Sequence, residues 1–452
     1  MYKTKRTVLI LIIVIILSAI PLAGFAAVTY TSGFQLQNLA GSTANISIVF
    51  YDQAGVVEAT VPDTIPANGS KTYFPLSAVT SGFNGSVVVS SDQSVAAIAN
   101  VLGDSGAMGA SYGGSSAGAT TLNLPLVMKD NYGINTWFNV QNAGGSSTTV
   151  NVTYAGSPAP TGGCPDSAVV EPGAAATFDQ STDSCLSAGF VGAATVTSSE
   201  PIVATVMQVS AQSLLAYSGF TGASTNPLMP LISSGYWNSG TGIQVQNTGG
   251  TSTDVTISYS PSTGFPGASC TETKSVAPGA STTFAFPLMP GSCYTDGGSA
   301  GSSAFVGSGK VTGNTTSQPL VAIVNQITST NANQAAYNAV DPSTATNTVS
   351  LPLIMDRNYG IFTGISVANV GSSATDILCT FTGTGYTASA TGVAPGAALT
   401  DVQFNQIADG YVGSATCTAS GGDELIAAIV NELTSGAAPT VDALLTYEGF
   451  NY

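Results

Sequence analysis

The sequence predicts an all-β protein in which four tandem β-sandwich domains follow an N-terminal signal peptide. One observation is a set of short motifs that recurs about every 105 residues, a period that suits one sandwich and exceeds two propeller blades. A second is period-two alternation of apolar and polar residues in each copy, which is typical of strands with one buried face. A third is the presence of turn-forming residues at roughly ten-residue intervals, with little helical periodicity between them.

The N-terminal segment, residues 1–26, has the order of a secretory signal. Three basic residues precede an apolar run from Val8 to Ile20, and the small-residue site Gly24-Phe25-Ala26 follows. The run has about 13 residues, whereas a membrane-spanning helix needs about 20. We therefore expect export and cleavage after Ala26, with retention as an uncleaved anchor as the alternative.

The four copies share landmarks that set the domain boundaries. Each begins with a strand that ends in asparagine, followed by an alternating strand, a proline-headed turn and an apolar closing strand. The asparagine-ending strands are Phe34–Asn38, Phe138–Asn142, Ile243–Asn247 and Ile365–Asn369. The turns begin at Pro66, Pro172, Pro278 and Pro395. The predicted domains are residues 27–119, 120–223, 224–345 and 346–452.

A proline-containing strand precedes the second, third and fourth copies but not the first. These strands are Leu124–Met128, Leu228–Ile232 and Leu351–Met355. If each completes the preceding sandwich, the last copy is open near Tyr452; if each completes the following one, the first copy is open at its N-terminus. An unfilled sheet edge can accept a strand from another chain. An ordered linker between copies is the alternative.

Two of the repeated motifs resemble those of a known family. The Phe-Gln-Leu-Gln-Asn strand and the Pro-Gly-Ala turn are similar to the Val-x-Asn-x-Gly and Pro-Gly elements of tandem immunoglobulin-like repeats. These repeats, of the cell-adhesion-related type, occur in secreted bacterial and archaeal surface proteins. The similarity covers the first half of each copy. It implies an extracellular immunoglobulin-like sandwich and transfers no binding residue.

Six cysteines follow the signal segment, and an even number in an exported chain favours disulfides. The expected pairs are Cys164–Cys185, Cys270–Cys293 and Cys379–Cys417. The first two pairs flank the proline-headed turn in equivalent loops. The third aligns with apolar strand positions, so we expect it to cross the core as the bridge between immunoglobulin sheets does. Metal binding is the alternative, but two thiols per copy without histidine are too few for a zinc site.

The composition argues against most catalytic chemistries and against nucleic-acid binding. The chain has no histidine, only 7% charged residues and a net charge of −16. A surface of that sign repels phosphate backbones. The serine strings Gly103–Gly106 and Gly114–Gly118 match hydrolase nucleophile patterns, but both mechanisms need an imidazole base. A hydrolase that uses paired carboxylates is the least favoured alternative.

Two further sets of residues are candidates for ligand binding. Trp137 and Trp237 are interpreted as core or strand-edge aromatics, with glycan contact as the alternative. Two equivalent loops carry oxygen ligands that suit calcium, although Asx-Gly sequences also form turns unaided and no full calcium-loop pattern is present. The calcium candidates are Asp130, Asn131, Asp356 and Asn358.

These patterns favour a non-enzymatic, extracellular structural or adhesive protein of the cell surface, built from rigid domains with short connections that project or tile. A carbohydrate-binding array is the alternative. The expected partners are the protein itself or other cell-surface components, glycans included. We expect no nucleic acid, no membrane contact beyond the signal segment, and no cofactor other than calcium.

Overall fold

The computed structural model describes residues 9–13, 29–161, 166–236, 239–262, 264–296, 303–328, 333–434, 442 and 444–452. These residues form antiparallel sheets joined by turns, and none of them is in an α-helix. The all-β fold predicted from period-two alternation is therefore confirmed. In the same part of the chain, no helix has the length and apolar character needed to span a membrane.

The first copy consists of two four-stranded sheets that face each other, an arrangement that we call a sandwich. Its strands are β1 (Leu9–Ile13), β2 (Tyr30–Asn38), β3 (Ala44–Asp52), β4 (Val57–Ile65), β5 (Ser70–Tyr73), β6 (Gly85–Ser91), β7 (Val95–Gly103) and β8 (Met108–Gly113). One sheet has the order β1-β6-β3-β4 and the other β5-β2-β7-β8. Alternation in β3 explains the packing, because Ile46, Ile48 and Phe50 are buried while the residues between them are more exposed.

The second copy repeats this arrangement with one long strand shared by both sheets. Its strands are β9 (Ala119–Lys129), β10 (Asn135–Asn142), β11 (Thr148–Ser157), β12 (Asp166–Val170), β13 (Ala175–Asp179), β14 (Phe190–Val209) and β15 (Leu214–Ser218). The first half of β14 pairs with β9 and β11, and its second half pairs with β10 and β15. The long strand therefore replaces two strands of the first copy.

The third and fourth copies have the same strand order. The third contains β16 (Leu228–Ser234), β17 (Ser239–Asn247), β18 (Thr253–Pro261), β19 (Cys270–Val276), β20 (Ser281–Phe284), β21 (Thr295–Asp296), β22 (Ser303–Asn314), β23 (Leu320–Thr328) and β24 (Gln334–Asn338). The fourth contains β25 (Thr348–Asp356), β26 (Ile361–Asn369), β27 (Thr375–Phe381), β28 (Thr387–Val393), β29 (Ala398–Val402), β30 (Tyr411–Ser420), β31 (Ile426–Thr434), β32 (Leu444–Glu448) and β33 (Phe450–Asn451). In the first, third and fourth copies the first two strands lie in opposite sheets, and in the second copy they pair with opposite halves of β14. This order differs from that of immunoglobulin constant domains, in which the first two strands share a sheet.

Each proline-containing strand completes the sandwich that follows it in the chain. β9, β16 and β25 pair with β14, β22 and β30 of their own copies. The register of each pair shifts at the proline, at Pro125, Pro230 and Pro352. Proline has no N–H for the ladder, so an irregularity there keeps the rest of the strand paired. In the first copy, the equivalent edge of β6 pairs with β1.

A tyrosine on the last long strand of the copy, β15, β24 or β32, bonds to each of these proline-containing strands. The hydroxyl of Tyr217 donates to the carbonyl of Leu126 at 2.6 Å and accepts from its N–H at 3.3 Å. Tyr337 and Tyr447 bond to Leu231 and Leu353 in the same way. All three tyrosines are fully buried, so the hydroxyl satisfies two backbone groups that water cannot reach.

The cysteine pairing predicted from the alignment is correct wherever both partners are described. Cys270 bonds to Cys293, and Cys379 bonds to Cys417. Cys185 is also disulfide-bonded, and its expected partner Cys164 lies outside the described residues.

The expected position of the Cys379–Cys417 bridge across the core is wrong. The two residues are direct neighbours on β27 and β30 of one sheet. In the second copy the equivalent residues, Val152 and Val196, are also register partners within one sheet. Two inward positions on adjacent strands lie side by side, so the bridge joins strands within a sheet.

Candidate functional site

The last long strand of each copy, which is β8, β15, β24 or β32, lies at the centre of the molecule. β8 contacts β15 and β32, and β24 contacts the same two strands. Each of these four strands therefore touches the last strand of both neighbouring copies. The short connections between copies join the sandwiches into a closed ring rather than a row, with the fourth copy against the first.

Two junctions of the ring are built from reciprocal pairs of carboxamides. Between the second and third sandwiches, Gln208 donates to Asn325 at 3.0 Å and Asn325 donates back at 2.7 Å. Between the third and fourth, Gln326 and Asn431 form the same pair with two bonds of 3.0 Å. These bonds satisfy the donors and acceptors of groups that are largely removed from water, which makes the pairing geometrically specific.

The junction between the fourth and first sandwiches has the same geometry with a carboxyl group. Glu432 follows Asn431 as Gln326 follows Asn325, and its register partner on β26 is Thr363, as that of Gln326 on β17 is Thr241. Its oxygens accept from the Asn100 amide at 3.0 and 3.3 Å.

The environment of this carboxyl group is closed to solvent. Glu432 is 1% exposed, and the Ser111 hydroxyl is 3.3 Å from one of its oxygens. Burial raises the pKa of Glu432 to about 7, against the hydrogen bonds from Asn100 and Ser111, which favour the charged form. The group is therefore a buried acid that stays protonated well above the pH at which a surface glutamate ionises.

The junction between the first and second sandwiches is apolar. Val101 and Met207 stand at the positions that carry the polar pair elsewhere, and both are buried. Trp137 packs beside them with 4% of its surface exposed, and its ring meets that of Tyr30 edge-on at 6.3 Å. This position supports the interpretation of Trp137 as a core aromatic, because a buried ring offers no face to a sugar. Trp237 lies outside the described residues.

Asp442 ties the fourth copy to all three others. Its carboxylate accepts from the backbone N–H of Leu214 and from that of Gln334, each at 2.9 Å. Its own N–H donates to the carbonyl of Ala107 at 2.8 Å. Burial raises the pKa of Asp442 to about 8, against these backbone donors.

A third acid, the partly buried Glu448, bonds the fourth copy to the third. Its carboxylate accepts from the backbone N–H of Asn338. Burial raises its pKa to about 7. Glu432, Asp442 and Glu448 are candidate site residues that the sequence reasoning missed. The available signal was an acid inside an apolar strand, Ile-Val-Asn-Glu-Leu, where the third copy has glutamine.

The four calcium candidates lie at two hairpin tips, and the carboxylates of the two aspartates among them already accept hydrogen bonds from protein groups. Asp356 is fully buried and accepts from the Arg357 guanidinium at 2.8 Å and from the Ile407 N–H at 2.8 Å. Burial would raise the pKa of Asp356, but Arg357 and the backbone donors lower it below the usual value. Asp130 accepts from the Asn135 amide at 3.2 Å. Among the described residues, no group of three or more acids, cysteines or histidines is placed to hold a metal ion.

The remaining two calcium candidates begin tight turns that display tyrosines. Asn131 and Asn358 each form a bridge across a two-residue loop of sequence Tyr-Gly. Tyr132 and Tyr359 have φ of 50° and 51°, the left-handed value of type I′ hairpin turns. Their side chains are 91% and 96% exposed. The two asparagines therefore act as turn residues that present an aromatic side chain to solvent.

A cleft of 480 Å³ lies between the second and third sandwiches. Its lining includes the exposed Tyr132 and Phe286 together with the amide side chains of Asn131 and Gln244. None of the described residues that line it is charged. These amides and rings can contact a neutral ligand, but they supply no general acid or base.

Comparisons with known proteins assign no family to the chain. No family model matches it, and no curated protein matches it. A crystal structure from Thermotoga maritima, described as Thermotoga maritima 1070, is 12% identical in an alignment that covers 23% of this chain and 94% of the other. Its TM-score is 0.20, and no conclusion about fold or function follows from a similarity at this level.

Proposed function

We propose that this chain is a non-enzymatic, extracellular structural protein of the cell surface, and that its working unit is the closed ring of four sandwiches. The observation that carries the proposal is the role of three acidic side chains that are fully or partly buried. Glu432, Asp442 and Glu448 all accept hydrogen bonds from other copies. Groups that would supply acid or base chemistry in an enzyme hold the copies together here.

The extracellular location rests on two features. The N-terminal basic and apolar pattern is that of an export signal. The disulfides suit an oxidising compartment, where such bonds form and persist. The immunoglobulin-like resemblance stays a prediction that concerns the short motifs alone.

We assign contacts with partners to two exposed hairpin turns, those that carry Tyr132 and Tyr359. Tyr132 and Tyr359 extend from equivalent turns of the second and fourth copies. Exposed aromatic side chains on tight turns lose little conformational entropy on binding, which favours them as contact residues. The expected partners are other copies of the protein or other surface components.

Immunogold labelling of intact producing cells tests the proposal. Antibody raised against the purified protein should label the outside of unpermeabilised cells, and electron microscopy of surface extracts should show particles of ring shape or arrays of them. A soluble cytoplasmic protein that labels only after permeabilisation would contradict it. A hydrolytic activity that is lost when one exposed carboxylate is replaced would contradict the non-enzymatic role.

A carbohydrate-binding role is the second candidate, and the cleft beside Tyr132 is the observation that favours it. An uncharged cleft with aromatic and amide groups has the chemistry that neutral sugars require. Glycan-array binding should be lost in Tyr132→Ala and kept in Tyr359→Ala, because Tyr359 is equally exposed but does not line the cleft. Binding that is absent from the unmodified protein, or equal in both variants, removes this candidate.

A further inference from the structure

The edge of β6 in the first sandwich corresponds to the edge that holds the proline-containing strand in the other copies. In the second copy, Leu124 pairs with Ala194, and in the fourth, Leu351 pairs with Ala415. Both leucines are fully buried. In these copies the proline-containing edge strand therefore contributes apolar side chains to the core and backbone hydrogen bonds to the sheet.

β1 pairs with β6 in the same direction and register as those strands. Ile13 pairs with Val87, and Leu11 pairs with Val89. Val87 stands two residues after Gly85, as Ala194 stands two residues after Gly192. Ile13 is therefore the positional counterpart of Leu124, and the first sandwich gains its eighth strand from the apolar N-terminal segment.

The first copy also keeps the tyrosine that fixes this strand in the others. Tyr112 pairs with Ala99 as Tyr217 pairs with Val206, which places it at the same position of the last strand. Tyr112 is buried, with 2% of its surface exposed. The edge of the first sandwich therefore has the two features found at the equivalent edges of the other sandwiches, an apolar edge strand and a buried tyrosine.

The length of the intervening chain allows the same molecule to supply the strand. Fifteen residues, 14–28, separate Ile13 from Thr29. A segment of that length can span about 50 Å, whereas facing sheets lie about 10 Å apart. The cost of closing a loop rises slowly with its length, so a longer connection than the hairpins of the other copies is tolerated.

We propose that β6 of the first sandwich is a strand-binding site, and that its ligand is residues 9–13 of the same chain, which stay in the folded protein as its eighth strand. The ligand class is an extended apolar segment that runs antiparallel to β6. Recognition rests on antiparallel backbone pairing along the edge, as in β-strand addition, and the segment has the apolar composition of the edge strands in the other copies. The proposal therefore requires the alternative to cleavage after Ala26, in which the N-terminal segment is retained and serves both as export signal and as a strand.

Cysteine cross-linking in the oxidised full-length chain tests this pairing. The variant with Ile12→Cys and Val88→Cys places thiols at register partners of β1 and β6. The matched control combines Ile12→Cys with Thr64→Cys, an exposed position on β4 at the opposite edge of the same sheet. Peptide mapping without reduction should find the 12–88 link within single chains and no 12–64 link. A 12–88 link that joins two chains, or equal linking in the control, would overturn the proposal.

Hydrogen exchange of the unmodified full-length chain provides a second test that does not depend on the variants folding. If β1 covers the edge, all amides of residues 85–91 lie between paired strands and should exchange as slowly as those of residues 192–197. Alternate amides that exchange at least tenfold faster would show an open edge and overturn the proposal. An exported protein that starts at Ala27 and keeps the slow exchange would also overturn it, because another chain would then occupy the site.

Discussion

Replacing Glu432 with glutamine is expected to stabilise the protein at alkaline pH and to leave its stability near pH 4 almost unchanged. The carboxyl group occupies the place of Gln326, whose amide bonds to Asn431 and to the hydroxyl of Thr446, each at 3.0 Å. Asn100 and Ser111 provide the same partners to Glu432. Glutamine can therefore adopt a pairing that the protein already uses.

The magnitude follows from the pKa of the buried carboxyl group. The pKa of Glu432 is about 7 in the folded protein, whereas that of an unperturbed glutamate is 4.5. A raised pKa means that its contribution to folding is fully present below about pH 4.5 and is lost as the pH rises through 7. At 1.36 kcal/mol per pKa unit, ionisation at pH 8.5 costs about 3 kcal/mol. A neutral amide avoids that cost.

Urea unfolding at pH 4 and pH 8.5 measures the difference. Glu432→Gln should raise the free energy of unfolding by about 3 kcal/mol at pH 8.5, with little change at pH 4. Gln326→Glu, the mirror variant, should lose a similar amount at pH 8.5 only. Asp442 and Glu448 titrate in both proteins of each comparison, so their effects cancel. A Glu432→Gln variant that is less stable at pH 8.5, or equally stabilised at both pH values, would refute the reasoning.

Three further variants test other parts of the fold. Gln208→Ala should cost about 1–3 kcal/mol in urea unfolding because it leaves a buried partner amide unpaired, whereas exposed Gln212→Ala should cost almost nothing. Removing the Cys379–Cys417 bridge by alanine substitution should lower the free energy of unfolding by about 4 kcal/mol without reducing agent, and equal stability would refute its role. Trp137→Ala should cost about 3–5 kcal/mol in thermal or urea unfolding, and an undiminished stability would contradict its burial at the first junction.

The strands and turns were predictable because their signals are local. Alternation in the Ile46–Phe50 segment indicates a strand with one buried face, and the proline-headed turns indicate positions where the backbone angle φ is fixed. The cysteine pairs were predictable because equivalent positions in a repeat have equivalent neighbours. The place of the Cys379–Cys417 bridge needed the strand order, which short motifs do not encode.

The ring and the acids at its junctions could not be predicted from the sequence of any single copy. Closure depends on contacts between residues hundreds of positions apart, such as Asn100 with Glu432. Comparing the copies does expose the key substitution, since glutamine at 326 becomes glutamate at 432 within an apolar strand. That difference was visible in the sequence, but its meaning depends on which copy lies opposite.

Small-angle X-ray scattering of the purified chain tests the closed ring most directly. A compact chain of this length should have a radius of gyration of about 22 Å. Four sandwiches arranged in a row would have a radius of gyration of about 40 Å. Each domain alone has a radius of gyration of about 13 Å, and the separation of the domain centres along a line adds the rest. A value close to 22 Å that increases when the junctions are weakened by Gln326→Glu at pH 8.5 supports the ring, and a value near 40 Å for the unmodified protein would contradict it.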